Sequence, residues 1–465
     1  MPSARIDTLA ISRIVWLAGM GFLVLLFAGA ATMLAQTVTA TVDGIAVAPI
    51  GLAVDPATND VYVAGSFRGA TTKIDGASNT ATKITNENMV FPDAVGINSV
   101  TNKIYVTHDA YEDYENYWLF VIDGSTNAVT AIQGPKEGNN PIYGDPCGVA
   151  VNSLTNKIYV AVTYYGENDG PGTVMVIDGR TNAYVLATDP GGTYPSAVAV
   201  NPETNKIYVA NLYGPGTANG SISIIDGDTN EITTIIDPNA NHPIAVAVDP
   251  VTNKIYVANQ NSSNVSVIDG ATNTITTVTD PNATGPVSIA VNPVSNRIYV
   301  ANIGQINGQG NGAGNVTVID GASNATTTVT DPNAYQPSAV SVDSLNNNIY
   351  VPNSGSNNVS VLNGATNAIT TISDPNAIGP STVAADPATG RVYIGNGGVF
   401  EQGSNNITVI DGRTYGSVIV SDPNAQRPIG TAVNPATNKI YVANQGYDNN
   451  GNVTVIDGST NQTTT

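Results

Sequence analysis

An all-β fold, a single β-propeller of about nine four-stranded blades, is the architecture that the sequence predicts. Three observations predict it: one unit recurs nine times, each copy contains four strand-like segments, and turn residues separate those segments. A unit that recurs in tandem is typical of propellers and other repeat arrays. The chain of 465 residues is long enough to bury a large core.

Two landmarks mark each copy of the repeat. A tyrosine is followed by an Ile-Asp-Gly segment, which reads Leu-Asn-Gly in the seventh copy, and the two landmarks alternate without a gap. This alternation indicates a tandem array of equivalent units. The landmark residues are Tyr62, Tyr105, Tyr159, Tyr208, Tyr256, Tyr299, Tyr350, Tyr393 and Tyr441, with Gly76, Gly124, Gly179, Gly227, Gly270, Gly321, Gly364, Gly412 and Gly458.

The four segments of each copy have the composition of strands. The copy around Tyr256 reads Ala-Val-Ala-Val, Lys-Ile-Tyr-Val-Ala, Val-Ser-Val-Ile and Ile-Thr-Thr-Val-Thr. The first three are almost continuously apolar, as expected of a sheet that neighbours cover on both faces. Between them, Asp249-Pro250 begins a turn in which Asn253 can take a left-handed conformation, and Asp269-Gly270 opens a second hairpin loop.

The two ends of the repeat array predict how the ring closes. Residues 38–43 have the register of the outer strand at residues 275–280, but no blade precedes them. The chain stops at residues 463–465, partway through the same kind of strand. The sequence therefore predicts that the N-terminal strand completes the last blade, which removes two exposed sheet edges.

The repeated strings also resemble a known family. Thr-Asn-Lys-Ile-Tyr-Val-Ala-Asn occurs at residues 252–259 and 437–444, and Tyr-Val-Thr occurs at residues 105–107. These strings resemble the YVTN-type β-propeller repeats of surface-layer and secreted proteins of bacteria and archaea, over residues 37–465. The resemblance implies a propeller at the cell surface or outside the cell. It implies no activity, since propellers carry many functions.

The N-terminal segment, residues 1–35, is predicted to be a signal peptide. Arg5 and Arg13 precede an apolar run at residues 14–35 that ends in small residues. Cleavage after Ala35 would leave residues 36–465 as the nine-repeat propeller. An uncleaved N-terminal membrane anchor is the alternative. We therefore expect an exported protein, extracellular, periplasmic or at the cell surface, which contacts the membrane only through this segment if it stays attached.

Charge and cysteine content restrict the class of partner. The chain has 36 acidic and 16 basic residues, a net charge of −20. A surface of this sign repels phosphate backbones, so we expect no nucleic-acid partner. A single cysteine, Cys147, allows no intrachain disulfide and is predicted to be a small buried residue rather than a nucleophile.

The length of the repeat varies in one place. Each glycine landmark lies 29 residues before the next tyrosine in seven of eight intervals, as from Gly227 to Tyr256, with 35 residues from Gly124 to Tyr159. The distance from tyrosine to glycine ranges from 14 to 22 residues. The extra length therefore falls between the second and third strands, and once between an outer and an inner strand. Both connections lie on the same face of an up-and-down blade, which predicts a binding face.

On that face, the loops of blades 2 and 3 concentrate aromatic and acidic residues. Aromatic rings offer flat apolar area and carboxylates offer acceptors, so we expect a carbohydrate, a cationic peptide or a surface protein as partner. The alternative is that the rings cover the blade edge, with Trp118 in the core, and that the acids are merely solvated. The candidate ligand-binding residues are Tyr111, Glu112, Asp113, Tyr114, Glu115, Tyr117, Trp118, Tyr164, Tyr165, Glu167 and Asp169.

No catalytic residue is predicted. The chain has two histidines, His108 and His242, and lacks Cys/His metal spacing, a phosphate loop and a nucleophile elbow. We expect a non-catalytic binding or structural protein without a cofactor. The alternative is a metal-dependent lyase- or lactonase-like propeller enzyme, in which carboxylates of the central channel bind a divalent cation. Binding of single-stranded nucleic acid through the aromatics is disfavoured by the charge.

Overall fold

Nine four-stranded antiparallel sheets, the blades, make up the fold together with two short two-stranded ribbons, over the residues that the computed structural model describes. This confirms the predicted all-β propeller of nine blades. The predicted signal peptide, residues 1–35, lies outside the described residues. In the described part of the chain, no helix is present that could cross a membrane. The described residues are 38–42, 47–67, 70–89, 92–108, 117–137, 140–141, 144–164, 171–214, 219–306, 309–310, 312–397, 403–446 and 451–458.

Each blade runs from an inner strand at the channel, through a second and a third strand, to an outer strand. In order from blade 1 to blade 9, the inner strands are Val47–Val54, Pro92–Asn98, Gly144–Asn152, Thr193–Asn201, Pro243–Asp249, Pro286–Asn292, Ser341–Asp343, Thr382–Ala385 and Pro428–Asn434. The second strands are Val61–Phe67, Lys103–His108, Lys157–Tyr164, Lys206–Tyr213, Lys254–Asn259, Arg297–Asn302, Asn348–Asn353, Arg391–Asn396 and Lys439–Asn444.

The remaining strands complete the blades. The third strands are Ala70–Ile74, Tyr117–Asp123, Gly172–Asp178, Ser221–Asp226, Asn264–Asp269, Asn315–Asp320, Asn358–Asn363, Asn406–Asp411 and Asn452–Asp457. The outer strands are Ala81–Thr85, Val129–Gln133, Tyr184–Asp189, Ile232–Ile235, Ile275–Thr279, Thr326–Val329, Ile369–Ser373, Ser417–Ser421 and, for blade 9, Val38–Val42. The ribbons pair Lys136–Glu137 with Asn140–Pro141 and Gln305–Ile306 with Gln309–Gly310.

The blades form a closed ring around a channel. Each inner strand contacts the inner strand of the next blade, and that of blade 9 contacts that of blade 1. In blade 5, residues in the middle of the inner strand are half-buried, whereas the second and third strands are almost entirely buried. The apolar core therefore lies between neighbouring blades and not in the channel.

The landmark tyrosines are the largest repeated side chains of that core. All nine are fully buried, as the sequence predicts. Tyr256 of blade 5 packs with Val265 and Val267 of its own blade and with Ile298 and Val300 of blade 6. Equivalent clusters that span two blades contain Tyr62, Tyr105, Tyr159, Tyr208, Tyr299, Tyr350 and Tyr441.

The N-terminal strand closes the ring as predicted. Residues Val38–Val42 pair antiparallel with the third strand of blade 9, with Val42 opposite Val453 and Thr41 opposite Thr454. Backbone groups that would otherwise form an exposed edge are paired within one molecule.

Turns between the inner and second strands use the predicted left-handed residue. Asn253 has a φ of 54°. Asparagine tolerates this conformation better than other residues with a Cβ, and glycine adopts it freely. The equivalent residues in the other blades are Asn59, Asn102, Asn156, Asn205, Asn296, Asn347, Gly390 and Asn438, all with positive φ.

The Asp-Gly turn requires glycine because the neighbouring turn leaves no room for a side chain. The amide of Gly270 donates a hydrogen bond of 2.8 Å to the carbonyl of Asn253, in the other turn of the same blade. A Cβ on Gly270 would lie 2.3 Å from Asn253 Oδ1 and 2.7 Å from its backbone oxygen. Close approach of the two turns therefore excludes a side chain, although the φ of Gly270 is not positive.

Gly270→Ala is expected to lower the free energy of unfolding by about 1–3 kcal/mol, because the turns must separate to admit the methyl group. Urea unfolding followed by circular dichroism measures it. The matched control is Gly148→Ala, whose Cβ would meet its nearest atom, Val198 Cγ1, at 3.4 Å, an ordinary contact. Equal losses in both variants would contradict the explanation.

A basic side chain joins each pair of neighbouring blades except blades 7 and 8, where Asn348 takes its place. The first residue of the second strand donates to the carbonyl of the Asp-Gly glycine in the following blade, as Lys206 does to Gly270 at 2.6 Å. In blade 1 this position is Asp60, and Lys73 pairs with it at 2.8 Å while donating to Gly124 at 2.7 Å. The remaining pairs are Lys103–Gly179, Lys157–Gly227, Lys254–Gly321, Arg297–Gly364, Asn348–Gly412, Arg391–Gly458 and Lys439–Gly76.

These contacts use eight of the 16 basic residues of the chain, seven from second strands and Lys73. Such hydrogen bonds from a charged donor contribute more than neutral ones. Half of the basic residues are thereby fixed at blade junctions.

Aspartates of the Asp-Gly turns cap the backbone. Asp226 Oδ1 accepts the amides of Thr229 and Asp228, each at 2.9 Å. The Thr229 amide is the main cause that holds the pKa of the Asp226 carboxyl below its usual range. The pKa of the carboxyl is lowered in the same way at Asp75, Asp123, Asp178, Asp269 and Asp320.

Acid is expected to destabilise the propeller through these caps. Because their pKa values are lower in the folded state, the caps contribute full stability above the unfolded value of about 3.9 and lose it as the pH falls through the folded value. Urea unfolding between about pH 2 and 6 measures this. The control is Asp226→Asn/Asp269→Asn/Asp320→Asn, which keeps an acceptor and removes the charge. An acid dependence as steep as that of the native protein would contradict the assignment.

Candidate functional site

All large length differences lie on one face of the ring. We call it the loop face; it carries the loops from second to third strands and the connections from outer to inner strands. Its second-to-third loops range from two residues in blade 1 to twelve, residues 303–314, in blade 6. The opposite face, the turn face, has five residues between third and outer strands in blades 2–8, as at residues 227–231 and 270–274, and six in blade 1.

On the loop face, the connection from an outer strand to the next inner strand is hydrogen-bonded to the blade that follows. The buried carboxylate of Asp237 accepts hydrogen bonds of 2.7 Å from Ser266 and Thr277 of blade 5. Asn264 Nδ2 donates to the carbonyl of Asn239 at 2.7 Å. The same arrangement recurs at Asp280 with Thr317 and Thr328, and at Asp331 with Ser360 and Thr371. These aspartates are structural, and the connections form a rigid base for the loops.

Three of the predicted ligand-binding residues lie within the described part of the chain. Tyr117 begins the third strand of blade 2, half-buried, with its ring centroid 5.9 Å from that of Phe120. Tyr164 ends the second strand of blade 3. Outside the described residues lie Tyr111, Glu112, Asp113, Tyr114, Glu115, Tyr165, Glu167 and Asp169, so their role stays a prediction.

The third of these residues, Trp118, is a core residue, the alternative that the sequence left open. Its side chain is fully buried and packs with Val162 and Met175 of blade 3. A Cβ on Gly134 would lie 2.3 Å from its indole ring, so that glycine leaves room for the indole. A side chain enclosed in this way presents no area to a ligand.

The two histidines and the cysteine lie in different blades or connections of the ring. His108 is fully buried, with Nδ1 2.9 Å from the carbonyl of Tyr117. His242 is half-buried, and burial lowers the pKa of its imidazole. Cys147 is half-buried rather than fully buried, donates its S–H to Pro195 O at 2.8 Å, and has a thiol pKa raised by burial to about 11.

Blades 3 and 4 extend further on the loop face than their neighbours. Their inner strands have nine residues and their second strands eight, against seven and six in blade 5. Tyr164 and Tyr213 hold equivalent places at the ends of these second strands, opposite Gly144 and Thr193. The extension brings a tyrosine to the loop face in each of two adjacent blades.

A pair of tyrosines lies at the loop-face end of blade 4. The rings of Tyr194 and Tyr213 are perpendicular, with centroids 5.6 Å apart, and Tyr213 is 39% exposed. Tyr194 has a φ of 55°, and a positive φ recurs at this position, immediately before the proline, in blades 5–9, at His242, Gly285, Gln336, Gly379 and Arg427. The conformation of Tyr194 is therefore a feature of the repeat, and what distinguishes blade 4 is the aromatic side chain at this position.

Sequence reasoning missed Tyr194 and Tyr213. A signal for Tyr213 was present: it follows Lys206 by seven residues, as the candidate Tyr164 follows Lys157. The proximity of Tyr194 depends on a positive φ immediately before Pro195, which the residue type does not indicate.

Two half-buried carboxylates of the described residues lie near the loop-face ends of adjacent inner strands. Asp93 and Asp145 lie near the starts of adjacent inner strands and are both half-buried, and after burial itself both raise the pKa of the Cys147 thiol. Within the described residues, no three His, Cys, Asp or Glu side chains are grouped to hold a metal ion.

Comparisons with known proteins bear on the fold. No family model matches the chain, and no curated protein matches its sequence. A solved structure titled "Structure of Dos1 propeller" superposes with a TM-score of 0.57 at 11% identity, over 91% of this chain and 95% of that chain. "Kuenenia stuttgartiensis Hydrazine Synthase" gives a TM-score of 0.49 at 16% identity, over 81% of this chain and 98% of that chain. The likeness to the first shows that the chain has the β-propeller fold.

Proposed function

We propose that this chain is an exported, non-catalytic binding propeller that presents its loop face to a carbohydrate. The observation that carries the proposal is the Tyr194–Tyr213 pair, which places an exposed ring on the face where loop length varies. The C–H faces of a sugar ring stack on aromatic side chains, which lose little entropy on binding. A cationic peptide or a surface protein is the alternative partner for this face.

Two features support a binding role for this region. The tyrosine pair belongs to blade 4, which is next to blade 3, where Tyr164 ends the equivalent strand; we call these two blades the sector. The connection that precedes Tyr194 is held by hydrogen bonds from Ser223 and Thr234 to Asp189. A backbone that is ordered before the ligand binds reduces the entropy lost on binding.

Export rests on the sequence of residues 1–35, with a basic start, an apolar run and small residues at the end. Expression of the full chain with a C-terminal tag, followed by fractionation and N-terminal sequencing, tests it. Recovery of the intact chain from the cytoplasm would contradict export.

Binding is tested with a panel of neutral oligosaccharides, by thermal shift and then calorimetry. We expect at least one to raise the melting temperature of the native protein and Tyr213→Ala to reduce that shift. The matched control is Tyr335→Ala on blade 7, since Tyr335 is 40% exposed and lies outside the sector. The proposal is wrong if no oligosaccharide binds, or if both variants behave alike.

A further inference from the structure

On the turn face, the junction between blades 7 and 8 departs from the common residues of the repeat at four positions. In blade 7 these are Asn346, where the other blades have threonine or serine, and Asn348, where they have lysine, arginine or, in blade 1, aspartate. In blade 8 they are Gly390 and Tyr415, where the other blades have asparagine. We call these four residues the junction set.

Asn348 and Tyr415 form a neutral contact in place of one made by a basic side chain. At the junction of blades 4 and 5, Lys206 donates to Asn273 Oδ1 at 3.2 Å. At the junction of blades 7 and 8, Asn348 Nδ2 donates to the carbonyl of Gly412 at 2.7 Å, and the hydroxyl of Tyr415 donates to Asn348 Oδ1 at 3.0 Å. The shorter side chain on blade 7 is therefore matched by a longer one on blade 8.

Gly390 leaves room for Asn346 of the preceding blade. A Cβ on Gly390 would lie 2.1 Å from Asn346 Nδ2, which is held there because it donates to the buried Asp343 at 2.8 Å. The φ of Gly390 is 68°, in the same left-handed region as the 54° of Asn253, its counterpart in blade 5. The backbone would therefore accept asparagine at residue 390, and it is the side chain from blade 7 that excludes it.

Each half of the junction set fits the other half and not the common residues. An asparagine in place of Gly390 would collide with Asn346, and one in place of Tyr415 would be too short to reach Asn348. The Oδ1 of Asn348, which is 3% exposed, would then be buried without this donor, which costs free energy. In the reverse case, a lysine in place of Asn348 would meet the ring of Tyr415, where other blades offer an amide oxygen.

We propose that the junction set is a register lock, which makes blade 7 pair with blade 8 rather than with another blade. Nine blades of one pattern present many near-equivalent edges, and misassembly is a characteristic failure of repeat proteins. Two matched surfaces that differ from the rest select each other, because a wrong partner brings a collision or an unpaired polar group.

The fit across the junction is tested by a double-mutant cycle on the melting temperature of the full-length protein. Gly390→Asn is expected to lower the melting temperature. Adding Asn346→Thr to it is expected to recover most of the loss, because the double variant has the residues found between blades 5 and 6, Asp249, Thr252 and Asn296. The fit is contradicted if Gly390→Asn melts with the native protein, or if Asn346→Thr recovers nothing.

The register lock is tested by giving the junction the common residues, with Asn346→Thr/Asn348→Lys/Gly390→Asn/Tyr415→Asn. This variant should fold, since each new residue has counterparts elsewhere in the ring. After unfolding in urea and dilution, however, we expect a several-fold larger fraction of oligomers and protease-sensitive chains than the native protein gives, because a misordered ring leaves blades unpaired. Size-exclusion chromatography with light scattering and limited proteolysis measure these fractions.

Lys206→Arg is the matched control, because arginine holds this place in blades 6 and 8, and the yield of refolded monomer should not change. The proposal is overturned if the four-residue variant refolds to monomer in the native yield, even at a lower melting temperature, since the set would then contribute stability alone. It is also overturned if Lys206→Arg lowers the yield as much.

Discussion

Tyr256→Ala is expected to lower the free energy of unfolding by about 3–5 kcal/mol. The ring of Tyr256 is fully buried and fills the junction between blades 5 and 6. Its removal loses apolar burial and leaves a cavity that the two sheets, fixed by their hydrogen bonds, cannot close. Equilibrium unfolding in urea, with two-state behaviour verified by two spectroscopic probes, gives the value.

Tyr256→Phe separates packing from hydrogen bonding. The hydroxyl of Tyr256 is buried and has no hydrogen-bond partner, and burial raises its pKa. Removing an unsatisfied polar group keeps the ring and relieves a desolvation cost, so this variant should be as stable as the native protein or more stable. A loss in Tyr256→Phe equal to that in Tyr256→Ala would show that the ring does not fill the junction.

Deleting residues 36–42 is expected to abolish the monomeric ring. The deletion removes the outer strand of blade 9 and leaves the third strand Asn452–Asp457 as an unpaired edge. Such an edge pairs with other chains, so we expect a lower melting temperature together with oligomers or aggregates. Size-exclusion chromatography with light scattering measures both species.

The control for this deletion removes residues 2–35 and keeps the closing strand. It should give a monomer with a higher melting temperature than the chain that lacks residues 36–42. If the chain without residues 36–42 were equally stable and monomeric, the pairing of residues 38–42 would not hold the ring.

Sequence determined the fold to the level of blade and strand because nine copies repeat one pattern. Where a single copy is ambiguous, as in the Leu-Asn-Gly turn of blade 7, the others specify the register. The burial of Tyr256, the conformation of Asn253 and the place of the closing strand followed from that register. Each depends on local geometry that every copy shares.

Contacts between blades could not be predicted in this way. The lysine at residue 206 reads as a solvated charge, and its acceptor, Gly270, lies in the next blade. Likewise, Trp118 adjoins both a loop and a strand in sequence, and only the packing of blade 3 against blade 2 decides that it is buried. Side chains whose role depends on the neighbouring sheet are therefore the ones that sequence reasoning misjudges or misses.

The candidate site was predictable as a face but not as a set of residues. Loop length identified the face, since insertions are tolerated where they do not disturb packing. The Tyr194–Tyr213 pair arises from the strand extension of blade 4 and from the positive φ of Tyr194, and neither follows from composition.

Because the contacts from one blade to the next run all the way round, the array has no terminal repeat that can fray. In a linear solenoid the last unit has one neighbour and opens first. Here, releasing any blade requires two junctions to separate together. The natural starting point for opening is the seam in blade 9, where strands from the two ends of the chain meet, so the lifetime of the native state should depend on that one sheet more than on the other eight.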